Sequence, residues 1–182
     1  MTVTTHTDVV APRRPTVRFM LEHPAHGLAM GFGSGLSPWA PGTAGTLWAW
    51  LSFVLLAPWM SDTGWACLLL ASTAVGWWAC TLTAQHLGQS DPSAIVWDEI
   101  IAFWLVLWLV TPAGWVGQAV AFGLFRFFDA VKPGPVGWAD RCFHGPEGQR
   151  PGAAQGWGII WDDLVAAGCT LLVIALWRAW MA

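Results

Sequence analysis

The stretch WACLLLASTAVGWWACTLTA, residues 65–84, runs for twenty positions without a charged side chain. A helix that crosses a bilayer needs about 20 consecutive, mostly apolar residues, so this stretch predicts a transmembrane helix. Further apolar stretches predict helices at residues 44–60, 92–110, 115–131 and 157–180. Because turn-forming residues separate them and the sequence shows no strand-like alternation, the predicted fold is all-α, a multi-pass membrane bundle of four to five helices.

The composition agrees with a membrane protein. Of the 182 residues, 55% are hydrophobic and 10% are charged, against about 25% charged in an average soluble domain. Sixteen residues are Trp and none is Tyr, and Trp favours the membrane–water interface. The net charge of −3 argues against a nucleic-acid partner. A very hydrophobic but soluble helical core is the alternative.

The chain is predicted to consist of a short N-terminal tail and one domain. Residues 1–24 are predicted to be a disordered tail without the apolar run of a cleavable signal peptide, and residues 25–182 a single membrane domain. The four Cys residues are scattered and form no Cys-x-x-Cys pair, so neither a zinc site nor a disulfide framework is indicated.

The polar residues are predicted to lie on one face of the membrane. Short turns at residues 61–64 and 111–114 join the first and second helices, and the third and fourth, into hairpins. The polar stretches 31–46, 91–99, 126–141 and 162–163 then share one face with every basic residue except Arg178. The positive-inside rule makes that face cytoplasmic, so the sequence predicts a cytoplasm-facing polar site.

Two pairs of carboxylates, Asp98–Glu99 and Asp162–Asp163, are needed to complete the third and fifth apolar spans. Ionisable groups inside a span are costly and usually functional. The alternative is that they lie at helix N-termini, where the helix dipole favours acids. Together with Asp129 they form a set of hard oxygen ligands, which suits Mg²⁺ better than zinc or copper. Oligomeric state is left open.

The basic residues and the glycine-rich stretch each have a simpler interpretation that involves no substrate. Arg126 and Asp129 share a helix face and could form only an ion pair. Lys132 and Arg141 flank Pro-rich turns and could bind phosphate or lipid head groups, or only anchor the protein at the membrane. The glycine-rich residues 31–46 could cradle a phosphate with backbone N–H groups, or form a flexible entry loop; they are not a Walker A motif.

Several phosphatase chemistries are excluded by missing motifs. No Cys is followed six residues later by Arg, no Asp-x-Asp nucleophile pair occurs, and the five His residues form no His-nucleophile signature. Attack by a metal-activated water remains. A transporter is a rival class, because buried acids also mark ion paths, and a soluble helical phosphatase is another.

Five motifs in order carry a family resemblance: residues 31–46, IVWDE at 95–99, FRFFDAVKP at 125–133, WADR at 138–141 and GIIWDDLVAA at 158–167. They resemble the bacterial phosphatidylglycerophosphatase A family over about residues 25 to 177. Residues 146–155 look inserted relative to the family's pattern.

The resemblance implies a Mg²⁺-dependent enzyme of the bacterial inner membrane. It would remove the terminal phosphate of phosphatidylglycerophosphate, a lipid substrate, and yield phosphatidylglycerol. The implied catalytic residues are Asp98, Glu99, Asp129, Asp162 and Asp163, of which all but Asp129 are expected metal ligands. The implied substrate-binding residues are Gly33, Ser34, Gly35, Ser37, Thr43, Arg126, Lys132 and Arg141. The family motifs also carry over to Pro38, Pro41, Gly42, Pro133 and Asp140, without a specific role.

Overall fold

The structure is a computed structural model that describes residues 13–143 and 151–181. Those residues form α-helices and two short 3₁₀ segments and contain no strand, which confirms the all-α prediction. The α-helices are α1 (Val17–Glu22), α2 (Pro24–Ala29), α3 (Pro41–Leu56), α4 (Asp62–Leu87), α5 (Trp97–Val110), α6 (Trp115–Val131), α7 (Pro135–Cys142) and α8 (Ala153–Met181). The 3₁₀ segments are Gly31–Leu36 and Ala57–Trp59.

Helix α5 lies at the centre of the bundle. Its sequence WDEIIAFWLVLWLV has no polar residue after Glu99, and ten of its fourteen residues are buried. It packs against α3, α4, α6 and α8. A helix that is hydrophobic on every face is stable only when neighbours surround it. This one therefore organises the core and carries its two acids at its first turn.

Tryptophan indoles tie the helices together inside the bundle. The indole N–H of Trp104 on α5 donates to the carbonyl of Ala49 on α3 at 3.0 Å. The Trp97 indole donates to the carbonyl of Ser72 on α4 at 3.2 Å. Buried Trp N–H groups usually find such partners. Part of the high Trp content therefore serves helix packing rather than the membrane interface.

Two helices, α4 and α8, are long and apolar enough to cross a membrane, with 26 and 29 residues. Helices α3, α5 and α6 have 16, 14 and 17 residues. At 1.5 Å per residue these three are roughly 21 to 26 Å long, shorter than a hydrocarbon core of about 30 Å. A bundle with four to five spans therefore remains a prediction.

The predicted start of the third apolar helix was wrong. It was expected at residues 91–92, but α5 begins at Trp97. The preceding segment is held by other parts of the chain: the Val96 N–H donates to the Ala29 carbonyl at 2.9 Å. A Cβ on Gly35 would lie 2.1 Å from the Ala94 carbonyl oxygen. Tertiary contacts thus replace the first turns that the local sequence favoured, and Asp98 and Glu99 lie in the first turn of α5.

The fifth apolar helix begins earlier than predicted, at Ala153 instead of residue 157. Its start is anchored on α4, because the Trp77 indole donates to the Ala153 carbonyl at 2.7 Å. The Gln85 side chain also donates to the Pro151 carbonyl at 2.8 Å. The Gly- and Pro-rich composition of residues 145–158 predicts a loop, but residues 153–158 belong to α8, and residues 144–150 lie outside the described residues. Asp162 and Asp163 are the tenth and eleventh residues of α8.

The two acid pairs therefore occupy different settings. Asp98 and Glu99 lie at a helix N-terminus, where the dipole favours acids, as the simpler alternative proposed. Asp162 lies about 14 Å along its helix at 1.5 Å per residue.

Short helices that the sequence did not predict complete the fold. Helix α1 lies within the expected tail 1–24, because Phe19 is buried and its ring stacks on His26 at 4.1 Å between centroids. That part of the tail prediction was wrong, while residues 1–12 lie outside the described residues. Helix α7 packs on α8 through buried Val136 and Ala139.

The helix ends meet as hairpin counting predicted. The starts of α3 and α5 and the end of α6 lie together, because a Cβ on Gly42 would contact both Glu99 and Arg126. The opposite end of the bundle holds the contact between the Trp108 indole and Asp62, at 3.0 Å. Glu99 and Arg126 therefore lie at one end of the bundle, and Asp62 lies at the other.

Candidate active site

The first ion cluster surrounds Arg126 near the end of α6. Its Nη1 donates to Asp129 Oδ2 at 2.5 Å and lies 3.1 Å from Glu99 Oε1. The side chain of Arg126 is 20% exposed and those of both acids are 12% exposed. The Arg126–Asp129 ion pair expected from helical spacing is therefore present, and it extends to the first turn of α5. We call Arg126, Glu99, Asp129 and Thr46 the arginine cluster.

Thr46 of α3 joins this cluster, and sequence reasoning missed it. Its Oγ1 lies 3.3 Å from Glu99 Oε2 and 3.4 Å from Arg126 Nη1. Two glycines let α3 approach this closely. A Cβ on Gly42 would lie 2.0 Å from Glu99 Oε1, and one on Gly45 would lie 2.7 Å from Val96 Cβ. The only sequence signal for Thr46 was its position at the end of the glycine-rich motif.

The second ion cluster surrounds Lys132, in the turn between α6 and α7. Its ammonium donates to Asp162 Oδ2 at 2.5 Å and also to Asp140 of α7. Lys132 and Gly134 have positive φ values of 49° and 51°, which turn the chain back so that α7 can bring Asp140 to the ammonium. We call Lys132, Asp140 and Asp162 the lysine cluster.

Lys132 remains charged at neutral pH. Burial disfavours its ammonium, but the hydrogen bonds that the ammonium donates to Asp140 and Asp162, and the negative charges of these carboxylates, outweigh that cost and raise the pKa of Lys132 above its ordinary value. Asp140, which carried no assigned role in the sequence, is therefore one of the two groups that keep this cation in place.

Within the described part of the chain, three buried carboxylate oxygens have no hydrogen-bond partner: Asp98 Oδ1, Asp162 Oδ1 and Asp163 Oδ2. Asp98 and Asp163 repel each other electrostatically, and Asp98 also repels Asp162. Burying a charge is costly unless it is paired or binds a metal, and unsatisfied buried polar atoms are rare in native structures. These oxygens, contributed by α5 and α8, are therefore the part of the site that lacks positive charge.

The donors at this site fit Mg²⁺, although no complete protein cage is formed. Within residues 13–143 and 151–181, no three His, Cys, Asp or Glu side chains converge as a ready ligand set. Mg²⁺ does not need such a set, because it usually keeps several waters and binds one or two carboxylates together with substrate phosphates. Unpaired carboxylate oxygens are the ligand type that it prefers.

The residues expected to bind the phosphate are only partly brought together. Arg126 and Lys132 reach the carboxylates, and Thr43 lies in the first turn of α3, beside the arginine cluster. Arg141 is exposed in the last turn of α7 and belongs to neither cluster. The earlier glycine stretch makes other contacts, described next.

The segment from Gly31 to Ser37 is tightly packed. The Ser34 hydroxyl donates to the Gly31 carbonyl at 2.9 Å, and the Ser37 N–H donates to the Ser34 carbonyl at 3.2 Å. A Cβ on Gly33 would lie 3.7 Å from the Met20 sulfur of α1. These contacts describe a folded turn that packs against α1. Binding of phosphate by Gly33, Ser34, Gly35 and Ser37 remains a prediction.

A small cleft opens beside the lysine cluster. Two of its acids, Asp140 and Asp162, line the cleft. Asp91, Ser90 and Gln155 line it as well, together with apolar Phe143 and Ile159. The cleft therefore connects the buried Asp162 carboxylate with the surface at the polar end of the bundle.

A family model and two relatives of this chain carry the same name. A family model described as phosphatidylglycerophosphatase A matches residues 27–178. Phosphatidylglycerophosphatase A of Escherichia coli (strain K12) is 37% identical over 163 residues, which cover 86% of this chain and 87% of that protein. The Haemophilus influenzae protein of the same name is 33% identical over 167 residues, covering 92% of this chain and 96% of that protein.

A third relative carries a different name. A protein of Bacteroides thetaiotaomicron, provisionally named phosphatidylinositol-3-phosphatase, is 36% identical over 159 residues. These residues cover 83% of this chain and 91% of that protein. No solved structure shows a significant match.

Proposed function

We propose, because this chain belongs to the phosphatidylglycerophosphatase A family, that it hydrolyses the terminal phosphate of phosphatidylglycerophosphate. The products would be phosphatidylglycerol and inorganic phosphate, a step of phospholipid biosynthesis. The observation that carries the proposal is a set of three buried carboxylate oxygens, without a hydrogen-bond partner in the described residues, on the same two helices that supply acids to the cations Arg126 and Lys132. A cation and a phosphate together would satisfy both kinds of group.

In the proposed mechanism, water attacks phosphorus and the bond from phosphorus to the glycerol oxygen breaks. One or two carboxylates from the set Asp98, Asp162 and Asp163 would hold Mg²⁺, which when bound would offset the charge of phosphate oxygens and lower the pKa of water. A carboxylate accepts the proton that water loses, and the carboxylic acid so formed returns a proton to the departing glycerol oxygen. Glu99 is the fourth expected ligand and Asp129 a further ligand or base. Positioning and charge stabilisation account for most of the catalysis in phosphoryl transfer.

The two cations retain the donors that phosphate binding requires. A guanidinium carries five N–H donors and an ammonium three. Arg126 uses Nη1 for its contacts with Asp129, Glu99 and Thr46. Lys132 uses two of its donors for Asp140 and Asp162. Each cation can therefore hold a carboxylate and still donate to a phosphate oxygen.

The proposed location is the bacterial inner membrane, with four to five helices in the bilayer and the polar end facing the cytoplasm. Two long apolar helices support membrane association, and the polar end carries Arg126, Lys132 and Arg141, in keeping with the positive-inside rule. Pro133→Cys and Gly64→Cys, each in a Cys-free background, test the orientation by labelling intact cells. External labelling at residue 64 and none at residue 133 is expected, and the reverse pattern would contradict it.

Phosphate release from phosphatidylglycerophosphate in mixed micelles tests the activity. Purified protein is expected to release phosphate, to lose that activity in EDTA and to regain it with added Mg²⁺. Activity that persists in EDTA would remove the metal from the proposal. Absence of any release would remove the function and favour a transporter.

The name of the Bacteroides relative suggests one competing substrate. Phosphatidylinositol-3-phosphate and phosphatidic acid belong in the same assay. A kcat/KM at least about tenfold higher for phosphatidylglycerophosphate is expected, which corresponds to about 1.4 kcal/mol of transition-state stabilisation. Preference for the inositol lipid would instead assign that substrate.

A further inference from the structure

Thr46 is fully buried on α3 and contacts two of the three charged groups of the arginine cluster, Glu99 and Arg126. Its Oγ1 lies within hydrogen-bond distance of three groups: the Gly42 carbonyl at 2.9 Å, Glu99 Oε2 at 3.3 Å and Arg126 Nη1 at 3.4 Å. A hydroxyl has one proton to donate and can accept from others. The guanidinium can only donate, so Thr46 accepts from Arg126 and has one proton for the remaining two acceptors.

The two acceptors, the Gly42 carbonyl and the Glu99 carboxylate, reach Thr46 in different ways. Many buried helical threonines donate to the carbonyl four residues earlier, and the Gly42 contact is of this kind. The contact with Glu99 is different, because it joins residues 53 positions apart on two helices. It exists only because Gly42 and Gly45 have no side chain that would hold α3 away from Glu99.

The Glu99 carboxylate is held at both of its oxygens. Oε1 contacts Arg126 at 3.1 Å, and Oε2 contacts Thr46 at 3.3 Å. Rotation of the carboxylate about its last bond would break one of these contacts. Arg126 is restrained too, since it contacts Thr46, Glu99 and Asp129.

We propose that Thr46 is a positioning residue, which holds Glu99 and Arg126 in the orientation that catalysis needs and does not itself contact substrate. This inference rests on the proposed phosphatase function. It gives the glycine-rich motif a second role beside phosphate binding, which is to bring the Thr46 hydroxyl against the catalytic carboxylate.

Three variants test the proposal. Thr46→Val removes the hydroxyl and keeps the shape, and Thr46→Ser keeps the hydroxyl. Thr170→Val is the matched control, because Thr170 is also fully buried and donates to the carbonyl four residues earlier, that of Ala166 at 2.9 Å. It contacts no charged group in the described part of the chain. The measurements are kcat and KM on phosphatidylglycerophosphate, with the melting temperature of each variant.

Thr46→Val is expected to lower kcat about tenfold with little change in KM, the size expected when a geometry-setting contact is lost. Thr46→Ser should retain at least about a third of kcat, and Thr170→Val should match wild type. In an Arg126→Lys background, Thr46→Val should have a smaller effect than in wild type, because residues that act as a unit are non-additive.

Equal kcat values for Thr46→Val and Thr170→Val in folded proteins would overturn the positioning role. So would a folded Thr46→Ser variant with much less than about a third of the wild-type kcat, and this comparison with wild type decides the question if the valine variant does not fold. Full additivity with Arg126→Lys would contradict the coupling. Wild-type protein that releases no phosphate would overturn the proposed function and this inference with it, an outcome distinct from the others.

Discussion

The arginine and lysine clusters each pair one cation with two carboxylates, but they are built differently. Arg126 joins side chains of three helices, α3, α5 and α6, inside the bundle. Lys132 lies in a turn and joins the short helix α7 to α8, beside the cleft, with 28% of its side chain exposed. The arginine cluster is therefore part of the helix packing, whereas the lysine cluster depends on a peripheral helix.

The carboxylates outside both clusters sharpen this comparison. Asp98 and Asp163 each have one buried oxygen with no partner among the residues that the structure describes, and they belong to neither cluster. Charged groups that are already paired mainly organise the site. Those left unpaired are the ones that a bound cation would use, so substitutions in the three regions should differ in kind.

The largest effect is expected at the unpaired carboxylates. Asp98→Asn and Asp163→Asn should each lower turnover by at least about a thousandfold, because loss of a metal ligand removes several kcal/mol of charge stabilisation. Their melting temperatures in EDTA should not fall, since the change removes an uncompensated buried charge. Phosphate release and thermal unfolding are the measurements.

Asp62→Asn is the control for this prediction, because Asp62 lies at the opposite end of the bundle and bonds Trp108. It should leave turnover unchanged. Near-normal activity of Asp98→Asn or Asp163→Asn at ordinary Mg²⁺ would contradict the metal assignment.

Replacing each cation by the other basic residue should affect catalysis differently in the two clusters. Arg126→Lys keeps the charge but loses the planar fork that meets Glu99, Asp129 and Thr46, so a loss of about thirtyfold in kcat is expected. Lys132→Arg keeps the charge in a more open place, and a loss of no more than about threefold is expected. If the two losses are equal, or their order is reversed, the structural distinction between the clusters does not extend to catalysis.

Removing the ammonium of Lys132 is expected to change stability by less than the loss of a metal ligand changes catalysis. Lys132→Met should lower the free energy of unfolding by about 2 kcal/mol, between the values typical of exposed and of buried ion pairs. Arg13→Met is the control, because Arg13 forms an ion pair with Glu22 whose side chains are 48% and 39% exposed. That change should cost less than about 1 kcal/mol.

The pH dependence of the Lys132 contribution follows from the direction of its pKa shift. A raised pKa in the folded state means that the stabilisation is complete below the unfolded value of about 10.4 and is lost as pH rises through the folded pKa. The effect of Lys132→Met should therefore be the same at about pH 7 and about pH 9. A cost that shrinks within this range would show that Lys132 already loses its proton there.

Much of the fold could be predicted from local sequence. The apolar run at residues 115–131 predicted α6 with both of its ends, because a glycine turn and Lys132-Pro133-Gly134 bound it. The gathering of helix ends at one face followed from two short turns. The Arg126–Asp129 pair followed from helical spacing alone.

Other features depended on contacts that no local pattern contains. The start of α5 was displaced because Val96 bonds Ala29, far away in the chain. Helix α1 formed within a segment that reads as a tail, because burial of Phe19 against His26 stabilises it. A hydrophobic pattern identifies a helix, but its ends respond to the neighbours that satisfy their backbone groups.

The sequence by itself determined that this is a helical protein with two acid pairs, two cations and a glycine-rich entry to α3, since apolar runs, turn residues and motifs are properties of consecutive residues. Only the tertiary structure decided which acid meets which cation. Lys132 pairs with Asp162 across 30 residues, and Thr46 reaches Glu99 across 53. The physical reason is that these contacts depend on how closely two helices pack. That distance is set by glycines, which have no side chain to keep helices apart, and by the large apolar side chains of α5 that fill the core.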